Sequence, residues 1–309
     1  MPEDCAGQRF DQAAARLWPE FSRSRLQQWI DAGSLTAAGK VLPAKTRLRG
    51  GEELLLDAVP EAQVPLAAEA IALQIVHEDE SVFVIDKPAG LVVHPGAGNP
   101  AGTLQNALLH LDPALADVAR AGIVHRLDKD TSGLLVVART LQAQTALAAQ
   151  IEAREMQRTY EAICAGVLTG GGEIQAPIGR HPRDRTRQCV RDDGRYARTR
   201  YRLIERFRAH THIEVQLDTG RTHQIRVHMA HIRAPLLGDP VYGGRPRLPR
   251  APSEALIAAV QGLRRQALHA VRLEFAHPDS GVRVLFRSPL AADLQALLEV
   301  LRDDARSAD

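Results

Sequence analysis

The run His125-Arg126-Leu127-Asp128-Lys129-Asp130-Thr131-Ser132, closed by Gly133, packs four charged side chains and two hydroxyls into one short segment. Apolar Ile123 and Val124 precede it, and the apolar run Leu134 to Ala138 follows. Short apolar runs bounded by turn residues read as buried strands. The polar run is therefore expected as a loop held between two core strands. Chemistry is commonly placed on a charged loop carried by a rigid scaffold.

Outward from that loop, strand signals dominate from Ile71 onward. Val82-Phe83-Val84-Ile85 is an apolar run stopped by Asp86-Lys87-Pro88, and Leu91-Val92-Val93 is stopped by His94-Pro95-Gly96. Pro and Gly after such runs are stop signals. Thr159 to Val167 reads as a strand, as does Ile213 to Asp218, where apolar and polar residues alternate. Val282 to Phe286 gives a late strand. Helices are expected from Leu104, over Leu141 to Ile151 with Leu141, Leu147, Ala148 and Ile151 on one face, and over Asp293 to Leu301. Because strands and helices do not alternate regularly, an α+β fold with a large, mainly antiparallel sheet flanked by helices is predicted.

Residues 1–60 read as a separate small unit, 61–70 as a linker and 71–309 as the main domain. In the first unit Phe10, Ala14 and Leu17 fall on one helical face. Ser22 or Ser24 can cap a second helix carrying Leu26, Trp29 and Ile30, which Gly33 ends. Two short strands follow, near Leu35 and at Leu54 to Leu56. This unit resembles the S4 RNA-binding module at Arg9-Phe10-Asp11, Ser22-Arg23-Ser24-Arg25, Trp29 to Gly33, Gly39-Lys40 and Gly51-Glu52. That resemblance implies RNA-backbone contacts for Ser22, Arg23, Arg25, Gln28 and Lys40. One departure is Ala37-Ala38-Gly39, where the module has Asn-Gly before the lysine.

Composition excludes several classes. The 309 residues are 45% hydrophobic with a formal net charge of +2, and no apolar stretch is long enough to span a bilayer. A cytoplasmic protein without membrane contact is expected. Three distant cysteines, Cys5, Cys164 and Cys189, suggest neither a disulfide framework nor a zinc site. Charge is uneven along the chain: Arg180 to Arg208 holds eleven arginines against four acids. Arginine forks suit phosphate, so this segment is a candidate grip on nucleic acid.

Polar chemistry concentrates in three places: the loop with Arg126, Asp128 and Asp130; the strand with Arg158 and Tyr160; and Thr219 to His228, where a strand passes into a helix near Thr222. There is no Gly-rich phosphate loop ending in Lys-Ser/Thr and no dinucleotide fingerprint. His223, His228 and His231 match no zinc spacing, and Ser132 lacks a nucleophile elbow. A carboxylate, a tyrosine and several arginines remain, with no metal and no cofactor. Such a set suits cleavage of an N-glycosidic bond, in which positive charge grows on the ribose near C1′. A carboxylate can stabilise that charge or attack it. A neighbouring arginine keeps the carboxylate ionised and aimed, and an aromatic ring floors an extruded base. A trapped base can rotate and rejoin through carbon.

The chain resembles the RluA family of pseudouridine synthases in three motifs: His125 to Gly133, Arg158-Thr159-Tyr160-Glu161-Ala162, and Gly220 to His228. Supporting stretches are Asp86-Lys87-Pro88, His94 to Asn99 and Leu237 to Gly244, all in the family's order. The resemblance implies Asp128 as the essential aspartate, with covalent attack and glycal formation both open. It implies Tyr160 as the active-site tyrosine and Arg226 as the arginine paired with the acid. Arg126 matches the residue that fills the gap left by the flipped base, and Arg221 and His223 join the RNA-binding set. His223 and His228 are expected to hydrogen-bond within the helix region. The implied substrate is uridine of large-subunit (23S) ribosomal RNA, in the helix 69 stem-loop, for a monomeric isomerase of rRNA modification and ribosome biogenesis. Alternatives are another rRNA or tRNA site, an RNA N-glycosidase, or a non-catalytic ribosome-assembly factor.

Overall fold

The computed structural model describes residues 5–18, 21, 23–57, 66–96, 98–184 and 186–307. They divide into two compact units, residues 1–66 and 67–309. Ser22 and residues 61–65 of the expected linker lie outside the described residues. Residues 67–69 are not a free linker, because they are tied to the second unit. The Asn106 side-chain amide donates to the Ala67 carbonyl at 2.8 Å, and the Glu69 N–H donates to the Asn106 carbonyl at 3.0 Å.

In the first unit, α1 (Phe10–Leu17) and α2 (Arg23–Asp31) pack on the antiparallel pair β1 (Leu35–Ala37) and β2 (Leu54–Leu56). Phe10, Ala13, Ala14, Leu26, Ile30 and Leu35 form the core; Leu17 is only half-buried. Buried Asp11 accepts from Arg9 at 3.0 Å and from Arg23 at 2.6 Å. Arg23 thus has a structural partner while its side chain stays 50% exposed. Arg25 lies over the Trp29 ring at 5.6 Å, and Gln28 and Lys40 are exposed.

Ala37 and Lys40 exchange two backbone hydrogen bonds of 3.0 Å across Ala38 (φ 50°) and Gly39 (φ 67°). Two successive left-handed residues make a type I′ turn, which favours Asn-Gly. An alanine in that region costs about 1–2 kcal/mol. Ala38→Asn is expected to stabilise this unit by about 0.5–1 kcal/mol, read as a higher denaturant midpoint. A lower midpoint would contradict the turn assignment.

The second unit contains β3 (Gln74–Glu78), β4 (Val82–Lys87), α3 (Leu104–Leu111), β5 (Ser132–Ala138), α4 (Leu141–Glu152), β6 (Gln157–Ala165) and β7 (Gly172–Gln175). After these come β8 (Ile178–Arg180), β9 (Gln188–Val190), β10 (Arg198–Arg206), β11 (His210–Leu217) and α5 (Gln224–His231). The last elements are α6 (Glu254–Gly262), β12 (Leu268–Ala276), β13 (Arg283–Arg287) and α7 (Ala292–Arg306). Nine strands form one sheet in the order β3-β4-β5-β12-β6-β11-β10-β7, with β13 also on β12. The β5–β12 pair is parallel and its neighbours are antiparallel, so the sheet is mixed and the fold α+β.

Helices cover both faces of the sheet. Phe83, Ile85, Leu135 and Val137 point to the side of α3, with Leu104 and Leu108. Val82, Val84, Leu134 and Val136 point to the side of α4, with Ala143 and Leu147. Thr103 and Thr140 cap α3 and α4 through their side chains. The buried face of α4 differs from the expected one. Leu141 and Ala148 are exposed, whereas Gln150 is buried and makes two 2.8 Å bonds to the backbone of Ala276. A glutamine that satisfies a strand's free N–H and C=O can replace an apolar contact, and apolar periodicity cannot detect that.

The sheet forks at Gly133. β5 pairs with β12 only at Ser132 and Gly133, and β13 then takes its place from Arg272 onward. Gly133 has φ 110°, and a Cβ there would lie 2.4 Å from the Ala270 carbonyl oxygen. Only glycine allows that approach. The polar run at 125–131 enters the sheet at this fork. Among the described residues no helix is long and apolar enough to cross a membrane.

Candidate active site

Lys87, at the end of β4, sets the shape of the polar loop. Its side chain is fully buried, and the ammonium donates to the carbonyls of Pro88 (2.7 Å), Leu91 (2.9 Å) and Lys129 (3.0 Å). Burial pulls its pKa down to about 8, against the opposing charges of Asp130 and Asp128. Leu127 anchors the loop in the core, while Arg126 is exposed. Asp128 is thereby presented to a cavity of about 530 Å³, a size typical of ligand sites.

On the other side of Asp128 stands α5. Arg226 is buried, and its guanidinium is divided between two acids. Nη1 donates to Asp128 at 3.1 Å, while Nε and Nη2 donate to Asp239 at 2.7 and 2.9 Å. Asp239 also accepts the N–H groups of Val241 (2.8 Å) and Tyr242 (3.0 Å), so its turn locks the carboxylate in place. Burial pushes the Asp239 carboxyl up, but the bonds from Arg226 outweigh it and hold it below the usual range.

His223 precedes α5 in a left-handed conformation, so the helix starts one residue after it, slightly later than expected. Its Nε2 lies 3.9 Å from Asp128 Oδ1, and its Nδ1 lies 2.8 Å from the Tyr242 hydroxyl. The Tyr242 oxygen accepts the Gln188 N–H at 2.9 Å. Between His223 Nδ1 and the Tyr242 hydroxyl either group can donate, since the phenol oxygen has a second lone pair. Burial lowers the His223 pKa, which favours the neutral imidazole. Gln224 braces the strand-to-helix turn: its amide donates to Arg198 and Thr199 and accepts from Thr219 and from the Arg221 N–H. His228 bonds away from its helix, to Thr199 at 2.8 Å and the Ala176 carbonyl at 2.9 Å, contrary to expectation.

Tyr160 enters the same cavity from β6, paired across the sheet with Val215 and Ala270. The residue is only 4% exposed, and burial raises its pKa, so the phenol stays protonated at neutral pH. The cavity therefore brings Arg126, Asp128, Tyr160, Arg221, His223 and Arg226 together. Arg23, Arg25, Gln28 and Lys40 belong to the other unit.

Three contributors, Lys87, Asp239 and Tyr242, lie in the supporting stretches of the resemblance but received no role from the sequence. For Asp239 the available signal was an acid opening a Pro-containing turn. The arginine-rich segment also behaves differently from expectation. Arg198 and Arg200 pair with Glu173 and Asp218, Arg202 pairs with Glu214 at 2.6 Å, and Arg208 pairs with Asp304 at 2.9 Å. Strand pairing brings in acids distant in sequence, so Arg198, Arg200, Arg202 and Arg208 carry ion pairs within the fold. Among the described residues no group of three His, Cys, Asp or Glu side chains is placed to hold a metal ion.

Residues 81–231 match the RNA pseudouridylate synthase family. The chain is 57% identical to ribosomal large subunit pseudouridine synthase D of Xanthomonas campestris, over 100% of this chain and 94% of the relative. It is 51% identical to the protein of that name from Escherichia coli K12, over 98% and 94%. Human RNA pseudouridylate synthase domain containing 4 superposes with a TM-score of 0.58 at 25% identity, over 74% of this chain and 93% of its own.

Proposed function

Because the chain belongs to the RNA pseudouridylate synthase family, we propose that it isomerises uridine to pseudouridine in large-subunit ribosomal RNA, with Asp128, Tyr160 and Arg226 as the reacting set. The helix 69 stem-loop of 23S RNA is the first substrate to test. The observation that carries the roles is the 3.1 Å contact between Arg226 and a carboxylate presented to a cavity that Tyr160 also lines.

In this reading a uridine leaves its stack and enters the cavity, and Arg126 occupies the space it vacates. Asp128 meets the positive charge that grows at C1′ as the C1′–N1 bond breaks. It either bonds to C1′ or assists proton loss from C2′. The uracil stays over Tyr160, turns and joins C1′ through C5. The C5 proton leaves and N1 gains one, so atoms and electrons balance within the nucleotide and no cofactor is consumed. Arg226 aims Asp128, and Nε2 of His223 faces the other carboxylate oxygen. The first unit acts as an S4-like RNA-binding module through Arg23, Arg25, Gln28 and Lys40, in a cytoplasmic monomer.

Purified protein incubated with unmodified large-subunit RNA is expected to yield carbodiimide-reactive sites at unchanged RNA mass. Release of free uracil would instead assign an N-glycosidase, and neither product would refute the catalytic reading.

A further inference from the structure

Six arginines of the cavity lining, Arg120, Arg126, Arg154, Arg158, Arg195 and Arg221, have no carboxylate partner among the described residues, and the last four gather around Gly220 and Tyr196. Their placement is nevertheless defined. Arg154 has a left-handed backbone (φ 62°), and its guanidinium lies 5.5 Å from the centroid of the Tyr196 ring. Arg221 donates from Nε to the Tyr196 carbonyl at 3.0 Å, and Arg195 is the residue before that tyrosine. Arg158 lies against Gly220, where a Cβ would be 3.0 Å from its Nη1, and its buried Nε has no partner.

The acids of the lining leave this charge uncompensated. Asp128 is held by Arg226, and Asp218 is held by Arg198 and Arg200. Glu152 makes no ion pair with any described residue. Burial lowers the Arg221 pKa, and the like charges of Arg195 and Arg154 lower it further. A group of mutually repelling guanidiniums does not stabilise the fold, and its planar forks match phosphate oxygens.

We propose that Arg154, Arg158, Arg195 and Arg221 form a phosphodiester subsite, which takes the RNA backbone beside the nucleotide that enters the Asp128 cavity. The subsite rests on the reading of that cavity as an RNA-modifying site and deepens it. It moves the backbone grip from the paired strand arginines to an unpaired group next to the reacting acid.

The test uses the full chain and a labelled uridine-containing stem-loop of large-subunit RNA, with affinity measured across a series of KCl concentrations. Each phosphate contact contributes about 0.7–0.9 to the slope of log affinity against log salt. The double variant Arg154→Gln/Arg195→Gln is expected to flatten the slope by about 0.7–1.8 and to weaken binding at low salt by about 10-fold or more. Arg154→Lys/Arg195→Lys should recover most of the slope. Arg202→Gln, which removes a guanidinium already committed to Glu214, should leave the slope unchanged. The thermal midpoint of the Gln double variant should not fall. An unaltered slope, with or without a lower midpoint, would overturn the subsite. Failure of the wild-type protein to form pseudouridine would instead count against the role of Asp128, whatever the slopes show.

Discussion

Asp128→Asn should abolish pseudouridine formation while preserving the fold and the affinity for RNA. The amide has nearly the shape of the acid, and its oxygen can still accept from Arg226 Nη1. Arg226 also keeps both bonds to Asp239, so its buried charge stays compensated. Only the negative charge facing C1′ is lost. If Asp128 bonds to or stabilises that carbon, turnover should fall by about 10⁴-fold or more, the scale observed when one member of a catalytic group is removed. Unfolding midpoint and RNA affinity should stay near wild type. The readout is the number of carbodiimide-reactive sites formed on saturating RNA. Wild-type turnover in the variant would remove Asp128 from the chemistry. Equal RNA binding with no turnover even in the wild type would favour a ribosome-assembly factor.

The second large effect is expected at Asp239. Its side chain is fully buried, and Arg226 is 6% exposed. Replacing this acid by an amide leaves Arg226 with Asp128 as its one carboxylate and sets the amide N–H groups against a guanidinium donor, so a buried donor loses its acceptor at a cost of about 1–3 kcal/mol. Asp239→Asn should lower stability by that amount in urea unfolding. It should also reduce turnover by about 10²-fold or more, because Arg226 loses one of the two bonds that aim it and meets an N–H donor in its place, a misplacement of the kind that carries such a penalty. By contrast, Asp218→Asn, at a pair with half-exposed arginines, should cost about 1 kcal/mol or less. A loss at Asp239 no larger than at Asp218 would show that the fork between the two acids does not hold Arg226.

The contrast between these acids marks what the sequence can disclose. Apolar runs such as Val82 to Ile85 and Leu134 to Ala138 announce a sheet buried on both faces, and the polar run before Leu134 announces a loop, but Ile123 and Val124, read as a strand ahead of it, supply only a single bridge from Ile123 to Val137. Strand alternation at Ile213 to Gln216 is likewise visible and matches the burial of β11. Asp239 is different. Its charge is legible, but its task depends on a turn that folds back on Arg226, thirteen residues earlier. The arginines of β10 mislead for the same reason: Glu173 and Glu214, which neutralise them, arrive only through sheet pairing. Gln150 reads as a polar interruption of a helical face until β12 supplies the backbone groups it satisfies. Residue type and order disclose composition and local geometry; long-range polar pairing is a property of the assembled sheet.

One ammonium beneath the reacting loop has a consequence for the choice of RNA. By tying the Lys129 carbonyl of the loop to those of Pro88 and Leu91, Lys87 sets the loop before nucleic acid arrives, and under the proposed role of Asp128 the distortion needed to bring a ribose to it falls on the strand that enters. Unstacking a nucleotide takes a few kcal/mol, and less where pairing is weak or missing. A rigid mould of this kind is expected to rank uridines by how loosely their own strand holds them, so that suppleness of the RNA would become part of the address.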